Sequence, residues 1–169
     1  QGSPLGEAYL GIQAMALELR SRGIVLAISS KNDEAVARRV FREHPDMLLR
    51  EEHIAVFQAN WNDKASNLRA IAETLNIGID SLVFLDDNPA ERQQVRMELP
   101  MVGVPELPET PESFPATLLA AGYFEAVNYT EEDGQRAGQY QANAARAAAL
   151  DSISDLGSYL ESLAMEASI

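Results

Sequence analysis

The chain has 169 residues, 46% of them hydrophobic, with 26 acidic against 13 basic side chains and a net charge of −13. That supplies one packed domain, or one and part of a second, and is too apolar for a disordered chain. The acidic balance repels polyphosphate backbones and argues against nucleic acid as a partner, the longest apolar runs fall far short of the roughly 20 residues of a membrane span, and the absence of cysteine excludes disulfides and thiolate metal sites.

The first residues, QGSPLGEAYL, lack a basic stretch followed by an apolar one, so they do not read as a signal peptide, and a cytoplasmic location is expected. LGEAYLGIQAMALELRSRG has helical spacing and stops at Gly23. IVLAIS, residues 24–29, is a short continuous apolar run, as in a strand buried on both faces. KNDEAVARRVFREHP is a helix that begins near Asn32 and Asp33 and ends at Pro45. HIAVFQAN is a second, weaker strand. NDKASNLRAIAETLNIG is an amphipathic helix capped by Asn62 or Asp63 and closed near Gly78. A third strand runs from Ser81 to Leu85, a helix from Pro89 to about Glu98, and MVGVPEL reads as a further short strand. PELPETPESFP is an extended linker, ATLLAAGYFEAVNYT a short helix and turn, and EEDGQRAGQYQANAARAAAL and ISDLGSYLESLAME two more helices. The Ala-rich segment, a strong helix former with little bulk, reads as a mobile connector.

Strands alternating with helices of this length imply crossover connections and a parallel sheet with helices on both faces. Ligands of such sheets bind beyond the carboxyl ends of the strands. Three polar sets stand there: Ser29-Ser30-Lys31-Asn32, Asn60-Trp61-Asn62-Asp63-Lys64 and Asp86-Asp87-Asn88. Asp86 and Asp87 offer hard oxygen donors suited to Mg²⁺. The competing reading is helix capping, but Asn88 at the cap, Pro89 at the first position and Glu91 at the third already make a near-complete capping box, which leaves both aspartates over. Ser30 combines a hydroxyl with a helix start, which suits a phosphate as well as a cap. Lys64 stands at the helix end that the dipole reserves for acids, so it either serves an anion or is a solvated surface lysine. Trp61 reads equally as loop packing or as a substrate platform.

The order Ser, then Lys at a helix start, then paired Asp resembles the second, third and fourth motifs of the haloacid dehalogenase superfamily. LAISSKNDEA, HIAVFQANWNDKASNLRAIAETLNIG, SLVFLDDNPAERQQVR and LPMVGVPELPE resemble its FkbH-like branch, subfamily IIIC, over roughly residues 5–165. The resemblance implies an α/β fold with a Rossmann-like three-layer parallel sheet over residues 1–108, followed over 109–169 by a linker and a helical extension toward a further domain. It implies Mg²⁺ as cofactor and two partners, a 1,3-bisphosphoglycerate-like phosphate and an acyl carrier protein onto which a glyceryl group is loaded, as in polyketide pathways. By position, Ser30, Lys31, Asn32 and Lys64 would bind phosphate, Lys64 would neutralise its charge, and Asp86 and Asp87 would hold Mg²⁺.

Two departures qualify these expectations. The family's Asp-x-Asp strand, which carries the nucleophile, would lie before residue 1. Without it the chain is expected to be incompetent alone, with either a gap between the strands ending at Ser29 and Leu85 or a rearrangement that pairs them. Ser29 stands where many members carry a cysteine that holds the acyl group, and a hydroxyl is a far poorer nucleophile without a base. The alternatives are therefore a plain phosphatase of another small phosphate, or an inactive fragment that binds a carrier protein.

Overall fold

The computed structural model describes residues 4–124 and 138–146. Helix α1 (Pro4–Ser21) stops where Gly23 takes φ 99°. The Gly23 amide donates to Arg20 O and the Ile24 amide to Leu19 O, so the orphan carbonyls of the last turn are satisfied and the chain turns back toward the sheet. Strand β1 (Leu26–Ser30) follows. Helix α2 (Glu34–Glu43) starts on Asp33, whose carboxylate accepts the Ala35 and Val36 amides. It ends two residues before Pro45, because His44 is extended (φ −70°, ψ 121°), the conformation a following proline favours.

Strand β2 (Ile54–Ala59) pairs with β1 in parallel, from Leu26 opposite Ile54 to Ser30 opposite Ala59, with a register shift between Leu26 and Ala27. Helix α3 (Lys64–Leu75) is capped by Asp63, which accepts the Ser66 amide, so the choice between Asn62 and Asp63 falls on the aspartate. Its other end closes at Asn76, in the left-handed region at φ 54°, two residues before the expected Gly78. Asn tolerates this conformation, and the turn folds Ile77 back onto the core.

Val56 belongs to the core that α3 builds with Ala65, Leu68, Ile71 and Leu75. Its neighbour Phe57 meets Phe41 of α2 edge-on, with ring centroids 5.4 Å apart, and lies under the Arg38 guanidinium. Successive side chains on a strand point to opposite faces, so α2 and α3 cover opposite faces of the sheet.

The third expected strand is reduced to one parallel bridge, Val83 opposite Gly103, secured by hydrogen bonds from Phe84 N to Gly103 O (2.8 Å) and from Gly103 N to Leu82 O (3.0 Å). MVGVPEL contributes that one partner residue rather than a strand. Among the described residues β1 has β2 as its sole strand neighbour, so β1 and residues 82–85 do not pair, and the expected rearrangement is not adopted. Helix α4 (Pro89–Glu98) has the expected bounds and starts on Asn88.

Beyond residue 108 the linker is short. A tight turn at Pro111–Ser113 leads into helix α5 (Phe114–Ala120), which packs with that turn against α1 and buries Phe114 and Leu118. Residues 138–146, inside the segment read as a mobile connector, form a docked helix. Ala144 is buried, Tyr140 packs on the core, Arg20 donates to Gln141 Oε1 at 3.1 Å, and Gln141 donates to the Glu52 carbonyl. The predicted helix ISDLGSYLESLAME lies outside the described residues. No helix among those described is long and apolar enough to cross a membrane.

Candidate active site

A cleft of about 360 Å³ opens at the carboxyl end of β1, bounded by α1, α3, α5 and the segment that follows Leu85. Its polar wall is Tyr9, Ser29, Lys64, Asp86 and Asp87, and Ile12, Leu85 and Leu107 supply much of the rest. Residues from the end of β1, the start of α3 and the segment after the Val83 bridge therefore meet in one place.

Lys64 is the centre of this wall. It opens α3, yet its side chain is only 8% exposed. Its Nζ donates to the Ser29 carbonyl at 2.8 Å and lies 3.4 Å from the Asp86 carboxylate, whose side chain is 12% exposed. One ammonium thus ties the end of β1 to the first aspartate in a largely desolvated spot, where a charge is tolerated because it is paired. One turn further along α3, Asn67 is buried and donates from Nδ2 to Ser29 Oγ at 3.2 Å. Both groups facing Ser29 are donors, and neither an ammonium nor an amide can take a proton from its hydroxyl.

Asp86 Oδ1 accepts the Asn88 amide at 2.8 Å, and Asn88 Oδ1 in turn accepts the Ala90 amide. Capping alone therefore accounts for Asn88 but engages just one oxygen of Asp86. Asp87 is exposed and makes a long 3.5 Å contact with the Tyr9 hydroxyl. Burial first, and then the Asp87 charge, raise the Tyr9 phenol above its ordinary pKa, so Tyr9 stands beside Asp87 as a donor. The two carboxylates could hold a hard cation. No group of three or more His, Cys, Asp and Glu side chains able to hold a metal ion stands together among the described residues.

The rest of the first polar set, Ser30, Lys31 and Asn32, does not line the cleft. Ser30 closes β1, and its carbonyl accepts the Asn60 amide. Lys31 pairs with Glu91 of α4 at 2.5 Å. Asn32 accepts the Asp33 amide. Glu91 is therefore not the second half of a capping box: its carboxylate is drawn to Lys31, and its other oxygen is buried with no hydrogen-bond partner among the described residues. Trp61 is 76% exposed, so loop packing does not describe it.

Sequence reading overlooked three neighbours. Asn67 was within reach, since Lys64 and Asn67 are three apart on one helical face. Arg92, whose Nη1 donates to the Asp86 and Asp87 carbonyls, follows them by one turn of helix. Tyr9 lies 78 residues from Asp87, and no local signal marks it.

Among solved structures this chain resembles the crystal structure of the N-terminal part of a Bacteroides fragilis protein containing a phosphatase domain, complexed with Mg. The chain is similar to part of a protein that contains a phosphatase domain. The identity is 46% and the TM-score 0.73, over 76% of this chain and 34% of the other, so this chain spans about one third of that relative's length. No family model and no curated protein matches the chain. Similarity to the phosphatase-domain relative fits the mixed α/β architecture with its small parallel sheet.

Proposed function

We propose that this chain carries the phosphate- and metal-binding half of a Mg²⁺-dependent phosphatase of the haloacid dehalogenase type. The single observation that carries the reading is the convergence of Ser29, Lys64, Asp86 and Asp87 on one cleft. Similarity to a phosphatase domain crystallised with Mg supports it.

The donor set fits magnesium. Mg²⁺ keeps several waters and takes one or two carboxylates together with substrate phosphate oxygens, so Asp86 and Asp87 suffice as the protein share. Bound there, the ion would neutralise charge on the phosphoryl oxygens. Lys64 would supply a second, fixed positive charge, pre-positioned by Ser29 O and Asp86 and therefore needing no reorganisation when a phosphate arrives. The Ser29 hydroxyl would add a donor. Lys31 and Asn32 are engaged by Glu91 and by the Asp33 amide and Ser30 does not line the cleft, so we assign the phosphate chiefly to Lys64 and Ser29. Positioning and electrostatics are most of what phosphoryl transfer needs.

The finer reading, glyceryl transfer from 1,3-bisphosphoglycerate to an acyl carrier protein in the cytoplasm, rests on the FkbH-like resemblance. It requires Ser29 Oγ to bond to the acyl carbon as phosphate leaves, with its proton passing to a base. Asn67 and Lys64 provide none, which favours plain hydrolysis. The non-catalytic reading, carrier binding alone, would leave Asp86 and Asp87 without a task.

The resemblance places the nucleophilic aspartate in sequence before residue 1, so the test compares this chain with a longer polypeptide that carries an Asp-x-Asp strand. The expected result is phosphate release from 1,3-bisphosphoglycerate or small monoesters by the longer form, dependent on Mg²⁺ and abolished by chelation. Failure of that form to release phosphate from any of them would sink the proposal. Mass spectrometry with 1,3-bisphosphoglycerate and a carrier protein separates the finer readings: a glyceryl adduct on Ser29 would establish transfer over hydrolysis.

A further inference from the structure

Arg92 stands in the first turn of α4 and is 6% exposed. Its Nη1 donates to two successive carbonyls, Asp86 O at 2.9 Å and Asp87 O at 3.2 Å. Its Nη2 reaches the Glu106 carboxylate at 3.4 Å, and its Nε is buried with no hydrogen-bond partner among the described residues. As a fastening for the fold this arrangement is poor. The Glu106 side chain is 72% exposed, and it is held more closely by Arg96 at 2.5 Å. An unpartnered buried N–H costs free energy, and an apolar side chain of similar length would pack as well or better.

What the guanidinium supplies, and an apolar chain cannot, is a rigid donor shared by two consecutive peptide units. Fixing the carbonyls on both sides of Asp87 fixes the planes of those peptides, and with them the directions in which the two carboxylates leave the chain. Asp86 is then held toward Lys64 and the Asn88 amide, and Asp87 toward Tyr9, both at the cleft. The cation also lies behind two adjacent negative charges whose sole other cationic partner among the described residues is Lys64, and so eases their mutual repulsion.

We propose that Arg92 is a positioning residue for the metal-binding pair, holding the Asp86–Asp87 turn in the one shape that aims both carboxylates into the cleft. The inference rests on the reading of Asp86 and Asp87 as Mg²⁺ ligands. It is tested by calorimetric Mg²⁺ titration of the full chain and of Arg92→Met and Arg92→Lys, with thermal melting and the backbone amide resonances of Asp87 and Asn88 recorded for each. Arg92→Met should melt within a few degrees of the parent, displace or broaden those two resonances, and weaken Mg²⁺ binding about tenfold or more, as loss of an outer partner of a metal ligand does. Arg92→Lys keeps the charge but reaches one carbonyl, so its affinity should fall between the two. If Arg92→Met does not fold, Arg92→Lys alone still decides the matter, because its weakened affinity is expected with a native melting point. Parental Mg²⁺ affinity in both variants, whatever their melting points, would overturn the positioning role while leaving the metal site standing. Absence of Mg²⁺ binding in the parent would overturn the metal site and the inference together.

Discussion

Lys64 shows how much a single side chain can decide. A lysine at a helix start is unfavourable for the dipole, and this one is buried as well. Both costs are offset by Ser29 O and Asp86, which makes the site intolerant of its loss. Lys64→Met keeps the length of the side chain and removes the donor. Binding of inorganic phosphate in the presence of Mg²⁺, followed by phosphorus NMR, should weaken by about 1.5–3 kcal/mol, the usual worth of a hydrogen bond to a charged group, and unchanged binding would remove Lys64 from the phosphate site. Asn67 is a second case. Asn67→Leu removes the donor to Ser29 Oγ, and if the amide orients that hydroxyl for phosphate, affinity should fall while the melting point stays near the parent's. The pairing of Lys64 with Asn67 was legible in the sequence, because three-residue spacing puts them on one face. Their common target was not, because Ser29 lies 35 and 38 residues away.

At the scale of elements, α2 is held to the turn before β2 by charge. Glu51 receives Arg38 at 2.6 Å and also pairs with Arg42. Hydrogen bonds from Arg42 and then Arg38 pull its carboxyl down to about 2. A depressed carboxyl contributes stability that is fully present above its unfolded value near 4.5 and is lost as pH falls through 2. Melting curves of the parent and Glu51→Gln should therefore differ most above pH 4.5 and converge toward pH 2. A constant gap across that window would contradict the assignment. Helix α4 depends on its cap: Asn88→Ala should cost about 1 kcal/mol in urea unfolding. In α3, Ile71 is 3% exposed, and Ile71→Ala should cost about 2–5 kcal/mol, since it removes buried surface and leaves a cavity. The starts of these helices were readable because caps are local chemistry. The reduction of Ser81–Leu85 to a single bridge was not, because a strand exists only through its neighbour, and here the pairing is confined to Val83 and Gly103.

For the whole molecule the governing quantity is the net charge of −13. Self-repulsion destabilises a compact state so far from neutrality, and salt screens it. The melting temperature should rise between about 10 and 200 mM sodium chloride, a range over which the screening length falls from about 30 Å to below 10 Å. A fall would show that paired charges such as Lys64–Asp86 outweigh the general repulsion. The sequence by itself determined the order of the helices and of the first two strands, the α4 cap at Asn88, the α3 start at Asn62 or Asp63 and the polar groups that follow each apolar run, because each follows from spacing and local hydrogen bonding along the chain. The tertiary structure alone decided which of those polar groups meet. Ser29, Lys64, Asp86 and Asp87 share a cleft, while Lys31 turns to Glu91 and Asn32 to the Asp33 amide. Tyr9, Arg92 and the docked helix at 138–146 entered in the same way. The reason is physical: a side chain's partner is fixed by packing between distant segments, and one sequence offers each polar group several partners until the fold brings a single one within reach.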